Sequence, residues 1–411
     1  MKIILATFGS FGDVQPFLFM GKILQAQGYQ VLFIANPRFA DPVLAAGLEF
    51  QPAGTLEDYE QAARPAAKTG SRFRDQGEQI AASRRLFNLM FLKPARETCR
   101  IISDNKTSDT LIIGHFYAYG ARLAAEKYGL RYLNICLSPY WLKGFIKPTN
   151  LSAAFQKFTS NASTRFIDGQ LFTKPFNILR AEIGLGPMGK SSSRWMFEGD
   201  NLFLFPEWLP DFPLEDGFRA DFAGFPMARV ESGELPDRLA DFLRRYGKPV
   251  VFTPGSAVTD VSVFFREALK TLDHLGKPGI FLTRAPNGLP ENPPENVMCL
   301  DFAPLGQLLP GCLAIVHHGG IGTAAQALAS GIPQLICHRM EEQKENARVL
   351  ERFGVSLAMP FAHLEKGAMA AMVVTLVTDE AIQTRCRDMM NKPLCMPEDF
   401  ILRRISEQLV K

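Results

Sequence analysis

Val316-His317-His318-Gly319-Gly320-Ile321-Gly322-Thr323 stands between a short apolar run, Ala314–His317, and a helical stretch, Thr323–Ser330, that Gly331 closes. An apolar run, a glycine-rich turn and a helix make the unit of an α/β fold. The first amides of such a helix have no partner within it and favour an anion beyond the strand end. Two histidines followed by three glycines in four positions have little packing purpose, so the expected occupant is a diphosphate. Its candidate contacts are His317, His318, Gly319, Gly320, Gly322 and Thr323. Adjacent histidine side chains diverge and no acidic cluster lies close in sequence, so no metal is expected here.

The pattern repeats on either side. Downstream, the apolar run Gln334–Cys337 leads into Arg339-Met340-Glu341-Glu342-Gln343-Lys344-Glu345-Asn346-Ala347. Taken alone this reads as a solvated helix start, but beside the glycine loop Glu342 and Gln343 are candidates for the vicinal hydroxyls of a sugar. Upstream, Pro249–Thr253 enters Pro254-Gly255-Ser256, and Ile280–Thr283 and Val297–Leu300 are further strand candidates. No charged residue occurs between Asp301 and Arg339, yet prolines, glycines and histidines interrupt that stretch; a membrane span needs about 20 predominantly apolar residues. It reads as a buried strand, loop, helix and strand.

The N-terminal half has the same grammar, with Ile3–Thr7, Val31–Ala35, Thr110–Ile113 and Tyr132–Leu137 as strands and helices at Phe17–Gln27 and Ala118–Tyr128. Gly9-Ser10-Phe11-Gly12-Asp13-Val14-Gln15-Pro16 follows the first strand, and Gly9, Ser10 and Gly12 let a ligand approach the backbone. This is not GxGxxG, and Asn36 stands where a dinucleotide site would place an acid, so a nicotinamide dehydrogenase is disfavoured. Asp13 has two readings, a helix N-cap or a general base at the edge of a cleft. The segments 56–100 and 139–195 lack clear strand patterning and lie beyond strand ends, where open α/β sheets bind ligands.

Length and composition agree. With 411 residues the chain suggests two or three domains, and a net charge of +3 is too small to indicate nucleic-acid binding. Seven cysteines form no CxxC pair, so a reduced cytoplasmic chain without a zinc site is expected. The first apolar run stops at Gly9, too early for a signal peptide. The expected division is 1–225 for an N-terminal acceptor domain, 226–236 for a linker, 237–390 for a nucleotide-sugar domain and 391–411 for a C-terminal helix returning to the first domain.

Together these motifs resemble the two-domain family 1 glycosyltransferases, which use UDP- or TDP-sugars. The resemblance implies the GT-B fold, an α/β architecture of two Rossmann-like domains facing across a cleft. Gly9–Phe17 is similar to the GSxGDVxPF motif of the bacterial and sterol branches, whose aspartate, matching Asp13, deprotonates the acceptor. Phe252-Thr253-Pro254-Gly255-Ser256 resembles a strand end that contacts the donor diphosphate, implicating Thr253, Gly255 and Ser256. Phe302–Pro310 resembles a segment whose backbone holds the nucleobase, implicating Ala303 and Leu305, and His317–Thr323 resembles the diphosphate loop. Among subfamilies the chain looks closest to the rhamnosyltransferases of rhamnolipid biosynthesis, through GDVQPF, residues 122–129 and HHGGIG. Two departures stand out: Glu342 replaces the usual aspartate, and Gln326 stands where many members carry glutamate.

The resemblance implies an inverting, metal-independent hexosyl transfer, with a TDP- or UDP-sugar as co-substrate and no other cofactor. TDP-L-rhamnose is the expected donor, and a lipid-like acceptor such as a hydroxy-fatty-acid dimer the expected partner. His115, Phe145, Lys143 and Arg84 are candidate acceptor contacts. Phe155, Phe158, Phe166, Phe172 and Phe176 give the middle segment an aromatic-rich composition. Peripheral contact with the inner membrane, or with a lipid-synthesising protein, goes with that acceptor. The alternatives are a UDP-glucose-dependent enzyme acting on a sterol or polyphenol, a nucleotide-sugar epimerase, and a non-catalytic protein that binds a nucleotide sugar or lipid for another chain.

Overall fold

The computed structural model describes residues 1–63, 84–145, 173–189, 191–210, 213–226, 235–255, 261–284, 288–394 and 398–410. The chain forms two compact units: Met1–Leu204 with Asp211–Ala223 and Pro397–Lys411, and Phe205–Pro210 with Gly224–Met396. The boundary is thus not a single cut near 225, since a short excursion, Phe205–Pro210, belongs to the second unit. Most of the 226–236 segment lies outside the described residues.

The first unit holds a seven-stranded parallel sheet of β1 (Lys2–Ala6), β2 (Gln30–Ala35), β3 (Glu49–Pro52), β4 (Leu111–His115), β5 (Arg131–Cys136), β6 (Asp200–Phe203) and β7 (Asp221–Phe222), ordered β3-β2-β1-β4-β5-β6-β7. β1, β2 and β4 are runs of apolar residues with almost no exposed surface, as strands covered on both faces must be. β3, β6 and β7 escape sequence patterning because strands of two to four residues with polar positions, β3 and β7 at the sheet edges, carry no periodic signal. The first helix, Phe11–Ala26, starts six residues ahead of the expected Phe17, because Ser10 and Asp13 form a capping box at its N-terminus. The C-terminal helix, Glu398–Val410, belongs to this unit: Arg404 pairs with Asp200 at 3.5 Å and Asp221 at 2.5 Å, at β6 and β7.

The second unit holds a six-stranded parallel sheet of β8 (Val250–Thr253), β9 (Gly279–Leu282), β10 (Val297–Leu300), β11 (Ala314–His317), β12 (Gln334–His338) and β13 (Ser356–Pro360), ordered β10-β9-β8-β11-β12-β13. Its core includes Val251, Ile280, Leu308, Ile315 and Ala327. In both sheets the strand order reverses at one place, between β1 and β4 and between β8 and β11. At such a reversal the connections leave in opposite directions and open a crevice beyond the carboxyl ends of the strands. His115 ends β4 and Asp13 follows β1; His317 ends β11 and Gly255 follows β8. Each unit therefore carries its candidate residues at its own reversal. Among the described residues no helix is long and apolar enough to cross a membrane.

Candidate functional site

In the first unit, Asp13 is both cap and candidate base. Its Oδ2 accepts from the Ser10 N–H at 2.6 Å and from the Ser10 hydroxyl at 2.9 Å, and its backbone carbonyl accepts from the Thr7 hydroxyl at 3.0 Å. A side chain at Gly9, where φ is 131°, would collide with the Asp13 carboxylate. The two readings of Asp13 therefore coexist on different oxygens, because Oδ1 is turned instead toward His115 Nε2, 3.9 Å away. His115 is buried, and its Nδ1 lies 3.1 Å from the Phe8 carbonyl oxygen. A carbonyl only accepts, so Nδ1 carries the proton and neutral His115 presents the lone pair of Nε2 to Asp13. Burial lowers the His115 pKa, against the opposing pull of Asp13 and the Phe8 bond. Two acceptors thus stand 3.9 Å apart, beyond direct hydrogen-bonding distance and with no proton between them, a place suited to a hydroxyl donor set beside both.

A partly exposed aromatic strip runs outward from this pair. Tyr117 packs edge-on to His115 at 5.0 Å and stacks on Phe91 at 4.6 Å; Trp141 meets Tyr117 at 5.4 Å and Tyr140 at 5.0 Å. Phe91 comes from a single π-helical turn, Asn88–Leu92, a distortion frequent at functional sites. Composition alone singles out other rings. Phe145 is buried against Phe197 and Phe218, and Phe176 is fully buried against Phe87 and Tyr119, so both are core residues. Phe155, Phe158, Phe166 and Phe172 lie outside the described residues. Lys143 is exposed with its ammonium 5.5 Å from the Tyr140 ring, at the far end of the strip, and Arg84 is exposed on the helical segment that begins at residue 84.

In the second unit, helix Ile321–Ala329 has Gly320 as N-cap, and its first backbone bond runs from Ala324 N–H to the Gly320 carbonyl. The amides of Ile321, Gly322 and Thr323 precede that bond and are the orphan donors an anion would take. The two histidines divide their work. His317 is fully buried, accepts from the Gly319 N–H on Nδ1 at 3.1 Å and lies 2.9 Å from Gln334 Oε1 through Nε2. Its imidazole has no nitrogen left for a phosphate, which corrects its assignment as a donor contact: the side chain shapes the loop. His318 lies between two glycines, since a Cβ at Gly255 would stand 2.7 Å from Nδ1 and one at Gly320 2.6 Å from Nε2. Its Nδ1 is buried and meets no hydrogen-bond partner among the described residues. Burial pushes His317 down to about 3 and His318 down to about 4, with the Arg339 charge also acting on His318.

Supporting side chains carry no motif by which sequence alone could find them. Asn346, buried, donates to the Gly319 carbonyl at 3.0 Å, and Gln334 holds His317. Gln343 Oε1 accepts from the Arg339 and Met340 N–H groups at 2.8 and 3.2 Å, closing the start of helix Glu341–Arg352. Its oxygen is therefore spent on the cap, and only its amide N–H groups remain for a sugar. Glu342 is half-buried in the same first turn. Thr253 ends β8 and Gly255 follows it, while Ser256 lies outside the described residues. Ala303 is buried in the core and Leu305 begins a short helix, so only their backbone is suited to a ligand. The adjacent Phe302 is 61% exposed, a large aromatic left open beside that backbone.

Comparison with known proteins places this geometry. Residues 3–146 match the glycosyltransferase family 28 N-terminal domain, and residues 270–407 match the C-terminal domain of the erythromycin biosynthesis protein CIII-like family. The chain has the GT-B fold of two Rossmann-like units, and each unit matches a glycosyltransferase-type domain over about a third of the chain. It is 27% identical over 418 residues to the O-mycaminosyltylonolide 6-deoxyallosyltransferase of Streptomyces fradiae, covering 94% of this chain and 92% of that enzyme. It is also 27% identical over 355 residues to the sterol 3-beta-glucosyltransferase UGT80A2 of Arabidopsis thaliana, covering 82% of this chain and 54% of that longer protein. Among solved structures, the spinosyn rhamnosyltransferase SpnG complexed with thymidine diphosphate superposes with a TM-score of 0.68 at 18% identity, covering 99% of this chain and 100% of that one.

Proposed function

We propose that the protein transfers a hexose, with inversion, from a TDP- or UDP-sugar to the hydroxyl of a hydrophobic acceptor, TDP-L-rhamnose and a hydroxy-fatty-acid-type acceptor being the first choice. The acceptor oxygen attacks the anomeric carbon as the bond from that carbon to the phosphate oxygen breaks. Asp13 Oδ1 takes the hydroxyl proton and the nucleoside diphosphate departs. A carboxylate is a weak base for an alcohol, so proton transfer lags behind bond breaking, and stabilising the leaving diphosphate supplies most of the rate. The amides of residues 321–323, Thr323 and His318 do that, with Thr253, Gly255 and Ser256 at the neighbouring strand end and the Ala303–Leu305 backbone beside the nucleobase. The Glu342 carboxylate accepts from the sugar hydroxyls and the Gln343 amide donates to them.

The observation that carries this reading is the pair Asp13 and His115, two acceptors 3.9 Å apart at the reversal of the first sheet, with an aromatic strip leading from them. That strip favours an apolar acceptor, and the S. fradiae and Arabidopsis relatives are by name an O-mycaminosyltylonolide 6-deoxyallosyltransferase and a sterol 3-beta-glucosyltransferase. The test incubates purified protein with TDP-L-rhamnose or UDP-glucose and hydroxy-fatty-acid, sterol and polyphenol acceptors, with products read by mass spectrometry and the anomeric configuration by proton NMR. A glycosylated product of inverted configuration names both substrates. Donor binding without transfer to any acceptor would favour a non-catalytic binding protein instead.

A further inference from the structure

A departing diphosphate concentrates negative charge, and the residues so far placed at the loop supply little positive charge to meet it. His317 has both ring nitrogens engaged, and burial holds both imidazoles neutral near pH 7. The N-terminus of helix Ile321–Ala329 offers only about half a unit charge. Arg339 is placed differently. It sits in the turn between β12 and helix Glu341–Arg352, with its guanidinium 3.4 Å from the centre of the Phe361 ring. Its own backbone N–H is tied to Gln343 Oε1 at 2.8 Å, and Gln343 packs under the glycine loop: a Cβ at Gly319 would stand 3.1 Å from the Gln343 carbonyl oxygen and 3.2 Å from its Cβ. The Arg339 charge reaches His318. Arg339 is exposed, as is neighbouring Lys344, which lies 3.5 Å from Glu341.

We propose that Arg339 is the cation of the donor site, its guanidinium held flat on Phe361 so that it binds diphosphate oxygens and stabilises the charge that builds on them as the sugar departs. A guanidinium stacked on an aromatic face presents its N–H groups at the edge and loses little rotamer freedom when it binds an oxyanion, which a lysine at this position would not reproduce. The inference rests on the reading of His317–Thr323 as a diphosphate loop and adds a residue that this reading does not require.

The test is calorimetric titration of wild type and Arg339→Gln with thymidine diphosphate and UDP, and saturation-transfer NMR with thymidine and uridine, melting temperatures being recorded for each protein. The expected result is diphosphate affinity lower by about tenfold or more in Arg339→Gln, the scale of hydrogen bonds to a charged group, with nucleoside binding and melting temperature unchanged. Phe361→Leu keeps the charge and removes the platform, and is expected to weaken diphosphate binding by a smaller factor. Diphosphate affinity within twofold of wild type in a folded Arg339→Gln protein would overturn the proposal. So would an equal loss for nucleoside and diphosphate. A wild-type protein that binds neither diphosphate would instead remove the reading of the loop, and with it this inference, without recourse to any variant.

Discussion

Asp13 Oδ1 and His115 Nε2 stand 3.9 Å apart, and the imidazole nitrogen that faces the carboxylate is the one without a proton, because its counterpart Nδ1 is committed to the Phe8 carbonyl. The other carboxylate oxygen is spent on the Ser10 cap. On the proposed function, a hydroxyl beside both atoms has two lone pairs to which its proton can be offered, which would orient the acceptor oxygen before any bond breaks.

For Asp13→Asn the cap can persist, since the amide oxygen accepts from Ser10 as the carboxylate does. Transfer is expected to fall by about 10²-fold or more, the contribution of a positioned base, while donor affinity holds within twofold. Asp13→Ala should in addition lower stability by roughly 1 kcal/mol through the lost cap. Product formation, calorimetric donor binding and thermal melting separate the two effects.

His115→Phe fills a similar volume and removes the lone pair that faces Asp13. The expected outcome is transfer reduced by about tenfold, a change in kcat greater than in donor KM, and a stability loss of about 1–3 kcal/mol from the Phe8 carbonyl left without its donor. Transfer equal to wild type would confine His115 to packing.

Gly320 has an ordinary backbone, φ −63° and ψ 133°, so Gly320→Ala adds a methyl without backbone strain. That methyl meets His318 Nε2 at 2.6 Å and must displace the ring. Nucleoside diphosphate binding is expected to weaken by about tenfold, with a stability cost of about 1–3 kcal/mol from overpacking. Gly186, beside which nothing lies within 4 Å and whose backbone is not left-handed, serves as a control for stability measurements alone.

Acid should destabilise the fold through its buried imidazoles. His115, His317 and His318 all titrate lower in the folded chain than their ordinary value of 6.5, with burial the leading cause, and His318 comes down to about 4. Protons therefore bind the unfolded chain more readily, so this contribution is fully present above about pH 6.5 and is lost as pH falls toward 4. Melting temperature recorded between pH 8 and pH 4 should be level at the top and fall below 6.5, and His318→Gln should fall less steeply. Parallel curves would show that His318 does not contribute.

Tyr117→Leu and Trp141→Leu shorten the aromatic strip without touching Asp13. Each is expected to raise acceptor KM by several-fold and leave donor KM unchanged, on the scale of about 0.5–1.5 kcal/mol for a lost aromatic pair. A change in donor KM instead would mean that these rings act on the other substrate.

Much of this chain is legible in the order of its residues. The strands β1, β2, β4, β8 and β11, the glycine loop and the paired motif Gly9–Pro16 are local features: apolar runs buried on both faces, and glycines where backbone must approach a ligand. The strands β3, β6, β7 and β13 are not legible, being short and partly polar. The aromatic residues mislead for a related reason. Composition counts rings but does not say which face solvent, so Phe145 and Phe176 stand out by number where Tyr117, Phe91 and Trp141 form the partly exposed strip.

Residue order along the chain suffices for the class of the protein, because a strand, a glycine turn and a helix N-terminus make an anion site wherever they occur in that succession. Which atoms are available for chemistry is a matter of long-range packing. Strand order brings β4 beside β1, and so His115 to Asp13 across about a hundred residues of chain. The hydrogen bonds of Gln334, Gln343 and Phe8 then remove His317, one oxygen of Gln343 and one nitrogen of His115 from the list of available groups. A side chain's type is written in the sequence, but its unused lone pairs depend on neighbours that folding supplies.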